Sequence, residues 1–323
     1  MKTIKSLAIF TLGLFFLSIG TASAEYPEKP ITVVVSFAAG GNADIGTRIA
    51  AEAISGELGA PINVVNKPGG AHIPAVMSVV EAPADGYTII QFAPPSFMVV
   101  PLTRDVPYSP AEDFTFLWAG AIASNALYVR ADSPWNTFEE FLDAAKADKL
   151  TMGVNNLGAP PNLSAVQLAN EFGLEFKTIA LKTVPASITG LIGEQVDVAV
   201  GQIATINAFK DQIKPLIILD NDRKEFFETH LPGVRTVGEA FPGKEAGAWV
   251  RGGWAVRKDT PQDIVDKLVA ASAVVGTEEF MQSLPPGIDW SYAQGQEAVL
   301  GELQKGIDLY SPILDGLGLL HKK

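Results

Sequence analysis

Five residues between a run of branched aliphatics and a helical pattern could meet a ligand almost without side chains. Phe37-Ala38-Ala39-Gly40-Gly41 follows Ile31–Val35, and Asn42 and Asp44 open the segment after it. Gly40 and Gly41 can take positive φ and admit a ligand to the main chain. The first amides of a helix have no intrahelical partner and carry partial positive charge, so a turn placed there attracts anions. The turn lacks the G-x-G-x-x-G spacing, since Gly40-Gly41-Asn42-Ala43-Asp44-Ile45-Gly46 intervenes, and no Gly-Lys-Ser/Thr follows as in a P-loop. Its spacing fits both a ligand-gripping turn and a tight βα connection with glycines for packing. Asp44 fits both a capping carboxylate and a ligand contact.

Other chemistry finds little support. His72, His230 and His321 are the only histidines, and no two share a metal-ligand spacing. No serine stands in G-x-S-x-G or beside a histidine partner. Arg235 and Arg251 read as surface cations or as ligand anchors. Trp249 and Trp254 read as core or as the floor of a cleft.

The elements that must position these residues alternate. Ile31–Val35 is a strand with an apolar run expected of burial on both faces. A helix follows with Ile45, Ile49, Ala53, Ile54 and Leu58 on one stripe and Gly59 as its stop. Pro61–Val65, Tyr87–Phe92, Leu150–Val154, Val196–Gly201 and Pro215–Leu219 read as further strands. Thr137-x-x-Glu140 is a capping box, and Pro261 marks a first helical position after Thr260. The alternation predicts an α/β protein with largely parallel sheets. Ser124–Tyr128 and Gly247–Trp254 are candidate crossings between two lobes. That gives lobe 1 over 25–125, lobe 2 over 126–248, and a return to lobe 1 over 249–323.

Residues 1–24 read as a secretory leader, with Lys2 and Lys5, the apolar run Leu7–Ile19, and a cleavage site after Ala24 in Ala22-Ser23-Ala24. The apolar run is too short to span a bilayer. The absence of cysteine fits a bacterial periplasm and rules out a lipid-anchored lipoprotein. The net charge of −12 becomes −14 when Lys2 and Lys5 leave with the leader. That charge disfavours nucleic acid and anionic membrane surfaces as partners.

"YPEKPITVVVSFAAGGNADIGTR" at Tyr26–Arg48, "VVNKPGGA" at Val64–Ala71 and "ADGYTI" at Ala84–Ile89 resemble the signature of the Bug-type solute receptors, the extracytoplasmic binding proteins of tripartite tricarboxylate transporters. "GLIGEQVDVAV" at Gly190–Val200 and "LPGVRTVGEAFPG" at Leu231–Gly243 extend the likeness to essentially the whole chain after the leader. The resemblance implies a two-lobed periplasmic binding protein fold of type II character, with two crossings and a ligand cleft between the lobes. It implies a small carboxylate as ligand, membrane transporter subunits as partners, no cofactor, and a monomer. One carboxylate would be gripped by Phe37–Asp44, and the far end of the ligand by the loop Asn155–Leu163.

That second loop departs from the family. Gly158-Ala159-Pro160-Pro161-Asn162-Leu163 stands where the family reads G-S-x-S-H-L, and Ala180-Leu181-Lys182-Thr183-Val184 keeps only the lysine of P-Y-K-G-G. The family's aspartate near Gly201-Gln202 is missing. The expected ligand contacts are Phe37, Ala38, Ala39, Gly40, Gly41, Asp44, Ser96, Asn156, Gly158, Ala159, Asn162, Lys182 and Gln202. The lost hydroxyls suggest a less charged far end, so a monocarboxylate or aromatic acid is as good a fit as a dicarboxylate. A sensory receptor for a membrane kinase and an enzyme acting on organic acids are the alternatives from other classes.

Overall fold

The computed structural model describes residues 25–40, 42–122, 124–155, 157, 159–203, 209–221, 225–244, 246–247, 251–284 and 290–321. Strand β1 (Ile31–Val35) shows how the sequence builds its layers. Its side chains alternate between two apolar clusters: Ile31 and Val33 join one, Val34 the other. Helix α1 (Asn42–Leu58) covers the first side, and α2 (Ile73–Val80) covers the second. Strand β1 pairs in parallel with β2 (Ile62–Asn66) and β3 (Thr88–Phe92).

Two sheets result. The first adds β4 (Phe114–Ile122), β10 (Arg251–Arg257) and the short β11 (Ala293–Gln294), in the order β11-β4-β10-β3-β1-β2. The second is built from β5 (Asn125–Arg130), β6 (Thr151–Val154), β7 (Lys177–Ala180), β8 (Val198–Gln202) and β9 (Ile213–Leu219). Its order is β7-β6-β8-β5-β9. The expectation of largely parallel sheets is corrected here. Strands β4, β5, β9 and β10 lead into or out of the crossings, and their pairings are antiparallel. The chain passes between sheets at Ile122–Asn125 and again beyond Gly247, where 248–250 lie outside the described residues. Tyr128 and Trp254, expected at crossings, sit inside β5 and β10.

Helices α3 (Phe138–Ala147), α4 (Pro160–Phe172) and α5 (Val184–Ile192) flank the second sheet, while α6 (Gln262–Ser272) and α7 (Gln296–Gly316) flank the first. The Thr137–Glu140 capping box forms as expected. Pro261 stands one place earlier than expected, at the N-cap of α6. On α1 the buried stripe is Ala50, Ala51, Ile54 and Leu58, whereas Ile45 is 38% exposed at the cleft end of the helix. Leu163 of α4 is fully buried in the first sheet's cluster with Val299 and Leu303 of α7. The second lobe is therefore anchored to the first by an apolar contact beside the crossings.

Candidate functional site

The carboxyl ends of β1 and β3 and those of β6 and β8 lie at the edges from which the crossings spring, since β4 ends and β5 begins there. In open α/β sheets this edge is where ligands bind.

On the first lobe, the turn Ala38–Gly40 is exposed. Gly40 has φ +79°, a left-handed conformation that favours glycine. Three side chains hold this turn from behind. Asn66, at the end of β2, donates from Nδ2 to Phe37 O (3.1 Å). His72 places Nδ1 3.2 Å from Ser36 O and 3.1 Å from Ser36 Oγ, and its ring lies 4.7 Å from that of Phe37. The Nδ1–H tautomer can donate to the carbonyl. Burial lowers the His72 pKa, and the contact with Ser36 offsets part of that shift.

Asp44 is the third. It is 3% exposed, and its Oδ2 accepts from Gly40 N–H (2.8 Å) and Arg48 Nε (3.1 Å). Its Oδ1 accepts from Asn66 Nδ2 (2.9 Å) and lies 2.9 Å from the second Arg48 nitrogen. Arg48 closes the ring by donating to Asn66 Oδ1 (3.0 Å). Burial pushes the Asp44 pKa up, but the bonds from Arg48, Gly40 and Asn66 outweigh it and hold the carboxyl below its ordinary range. This is the capping alternative for Asp44, extended into a clamp on the turn. Ser96, fully buried, donates from its hydroxyl to Ala93 O (2.9 Å) beneath the same edge.

On the second lobe, Ala159 is the N-cap of α4, and Pro160, Pro161 and Asn162 are its first three residues. Asn162, an expected ligand contact, is inside the first turn of that helix and 1% exposed. Leu163 N–H already bonds Ala159 O (3.0 Å). Gln202 ends β8 and is in register with Asn125, which begins β5. Asn125, 1% exposed, donates from Nδ2 to Ser164 Oγ of α4 (3.1 Å). Lys182 is exposed, has φ +72°, and donates its amide to Asn155 O (2.7 Å).

The structure therefore brings Phe37–Gly40, Asp44 and Ser96 to one edge, and Ala159, Asn162, Lys182 and Gln202 to the other. Gly41, Asn156 and Gly158 lie outside the described residues, as does Trp249. Arg235 pairs with Glu139 on the surface. Arg251 pairs with Glu302 of α7 (3.0 Å) and helps line a cavity of about 530 Å³ with Phe92, Gln167 and Leu303. No described member of the expected contact set lines that cavity, which lies beside the second crossing. Trp254 is core, its ring 5.5 Å from that of Trp118. Sequence reasoning missed the supports Asn66 and His72, although both lie in or beside the motif Val64–Ala71. It also missed Asn125 and Ser164, which no local pattern marks, whereas Asn155 opens the loop that the resemblance assigns to the far end of the ligand.

A family described as "Tripartite tricarboxylate transporter family receptor" matches residues 47–298. A UPF0065 protein of the gbd 5′ region from Cupriavidus necator is 36% identical over 192 residues, which is 58% of each chain. A UPF0065 protein of Bordetella pertussis is 26% identical over 96% of both chains. A TctC solute binding protein from Polaromonas superposes with a TM-score of 0.77 at 27% identity, covering 90% of this chain and 100% of that one.

Proposed function

Since this chain belongs to the tripartite tricarboxylate transporter receptor family, we propose that it captures a small organic acid in the cleft between its lobes and hands it to membrane transporter subunits. The observation that carries this is the exposed Ala38–Gly40 turn, pinned from behind by Asn66, His72 and Asp44. A turn fixed in advance presents its main chain to an anion without first having to be ordered, which favours tight binding. The chemistry is binding only. A carboxylate settles on the turn and the start of α1, the second lobe meets the far end, and hinge closure removes the ligand from water.

The leader expected over 1–24 supports a periplasmic site of action. The expected contacts of Phe37–Gly41, Ser96, Asn156, Gly158, Ala159, Asn162, Lys182 and Gln202 stand as the proposed ligand set. In it Asp44 acts through the turn. The passages between sheets support lobe boundaries near residues 125 and 248. A thermal-shift panel of mono-, di- and aromatic carboxylates tests the reading. Ligand at 100 times its dissociation constant adds about 2.7 kcal/mol, enough to raise the midpoint by a few degrees. A panel in which no organic anion moves the midpoint would refute it.

A further inference from the structure

The cavity beside the second crossing stands apart from the anion-binding turn. Its volume of about 530 Å³ falls in the range of small-molecule sites. One wall is apolar and belongs to the first sheet's side: Phe92 at the end of β3, Met98, and Val299, Leu303 and Leu309 of α7. The π-helical turn Pro95–Val99 delivers Met98, and π geometry recurs at functional sites. Gly306 of α7 makes room for it, since a Cβ there would lie 2.5 Å from Met98 Sδ. A methionine wall adapts to the shape of an occupant.

The facing wall comes from the second sheet's side and from the crossing itself. Gln167 of α4, Asn221 beyond β9 and Gly247 line it. Gln167 Oε1 accepts the Gly247 N–H (3.0 Å), and Asn221 Oδ1 accepts the Ala246 N–H (2.9 Å). The two side chains that hold the approach to the second crossing therefore also line the cavity.

One rim is charged. Glu302 of α7 lies between Arg251 at the start of β10 (3.0 Å) and Lys305 (3.4 Å), and all three line the cavity. Two cations around one carboxylate leave this rim net positive, in a chain of net charge −12. An apolar wall under a cationic rim is complementary to an amphipathic anion. We propose that the cavity is a second binding site, for a carboxylate with an aliphatic body of medium length, and that its occupant restrains the hinge. The acid head meets Arg251 and Lys305, and the body packs on Phe92, Met98 and Leu303. Because the walls come from both halves of the chain, a change of lobe angle reshapes the cavity, and an occupant favours the arrangement that fits it. This site is independent of which acid the cleft takes.

The test is titration calorimetry with octanoate on wild type and on Gly40→Val, which obstructs the turn of the cleft. Octanoate binds Gly40→Val, whereas acetate, without the body, and octylamine, without the acid, bind at least about tenfold more weakly. Leu309→Trp fills the cavity from a partly buried position and weakens octanoate at least about tenfold. Lys305→Glu reverses the charge of a side chain that is 79% exposed, so the fold stands, and weakens octanoate several-fold. Melting curves check that each variant is folded. Spin labels at Glu57→Cys on α1 and Asp143→Cys on α3, both exposed in a chain without cysteine, report lobe separation. Octanoate narrows the distribution of that distance. Octanoate binding unchanged in Leu309→Trp, or lost altogether in Gly40→Val, overturns the site. Binding unchanged in Lys305→Glu, or as tight for octylamine, overturns the charged head. A distance distribution that octanoate does not move overturns the hinge role.

Discussion

Asp44 Oδ2 accepts the backbone N–H of Gly40 at 2.8 Å, so the first acid of α1 holds the turn that precedes its own helix. The same carboxylate takes Asn66 and Arg48. Asp44→Asn keeps the shape but loses the charge that strengthens all of these bonds. The expected cost is about 1–3 kcal/mol of stability, with weaker ligand binding because the turn is no longer fixed. The pH dependence has a definite sign. The folded pKa of Asp44 lies below its ordinary value, with burial opposing and the bonds from Arg48, Gly40 and Asn66 prevailing. Its stabilisation is present above the unfolded value of about 3.9 and is lost as pH falls through the folded pKa. Melting curves of wild type and Asp44→Asn should therefore converge on acidification from about pH 5 to 3. A constant gap would count against the clamp.

His72 stabilises in the opposite chemical form. Its ring is half-buried between Ser36 and Phe37, and burial lowers its pKa from 6.5. The unfolded chain then binds the proton more readily than the folded one. The stabilisation is full above about pH 6.5 and declines as pH falls toward the folded pKa. His72→Gln should show a smaller loss of melting temperature between about pH 7 and 5 than wild type. Carboxylate affinity of wild type should stay flat from about pH 8 to 6 and weaken below, because the protonated ring disturbs Ser36 and Phe37. An affinity that rises on acidification would mean that the imidazolium contacts the ligand directly.

Gly40 separates strain from obstruction. A Cβ there meets nothing within 4 Å, yet φ is +79°. Gly40→Val should cost about 1–2 kcal/mol through backbone conformation and also project a branched side chain where the ligand approaches. Gly40→Asn tolerates the left-handed region and should keep most of the stability. Titration calorimetry on both is informative. Near-normal affinity in a folded Gly40→Val protein would remove the backbone turn from the binding role.

The first lobe was more legible in the sequence than the second, and the reason is locality. The turn, its helix and its supports come from Ile31–Asn66 and His72, short stretches whose glycines, capping residues and apolar runs each have a local cause. Asp44 was readable as a capping residue, but its bond to Asn66 joins distant elements and leaves no periodic trace. In the second lobe, Asn125 meets Ser164 across 39 positions, and Asn155 is placed by strand order alone. The antiparallel pairings escaped for the same reason. A buried apolar strand reads alike whichever way its neighbour runs, and direction is set by where the crossings lie. Ile45 fitted the helical stripe by spacing, yet it is exposed, because the face that this end of α1 buries carries Asp44 and Thr47 instead.

Asn162 gives the most exposed prediction. It is the third residue of α4, 1% exposed, on the second lobe's edge of the cleft. It is not the N-cap, which is Ala159, so its truncation removes no capping side chain. A neutral amide supplies two donors and one acceptor oxygen, with no charge to titrate. If it meets a ligand oxygen or a neutral polar group, Asn162→Ala weakens binding by about 1–3 kcal/mol, and equally at about pH 6 and pH 8. If its side chain serves only packing and bonds within the lobe, the melting temperature falls and the dissociation constant stays put. Measuring both on the same preparation separates the two roles. Loss of stability with unchanged affinity would take Asn162 out of the ligand set.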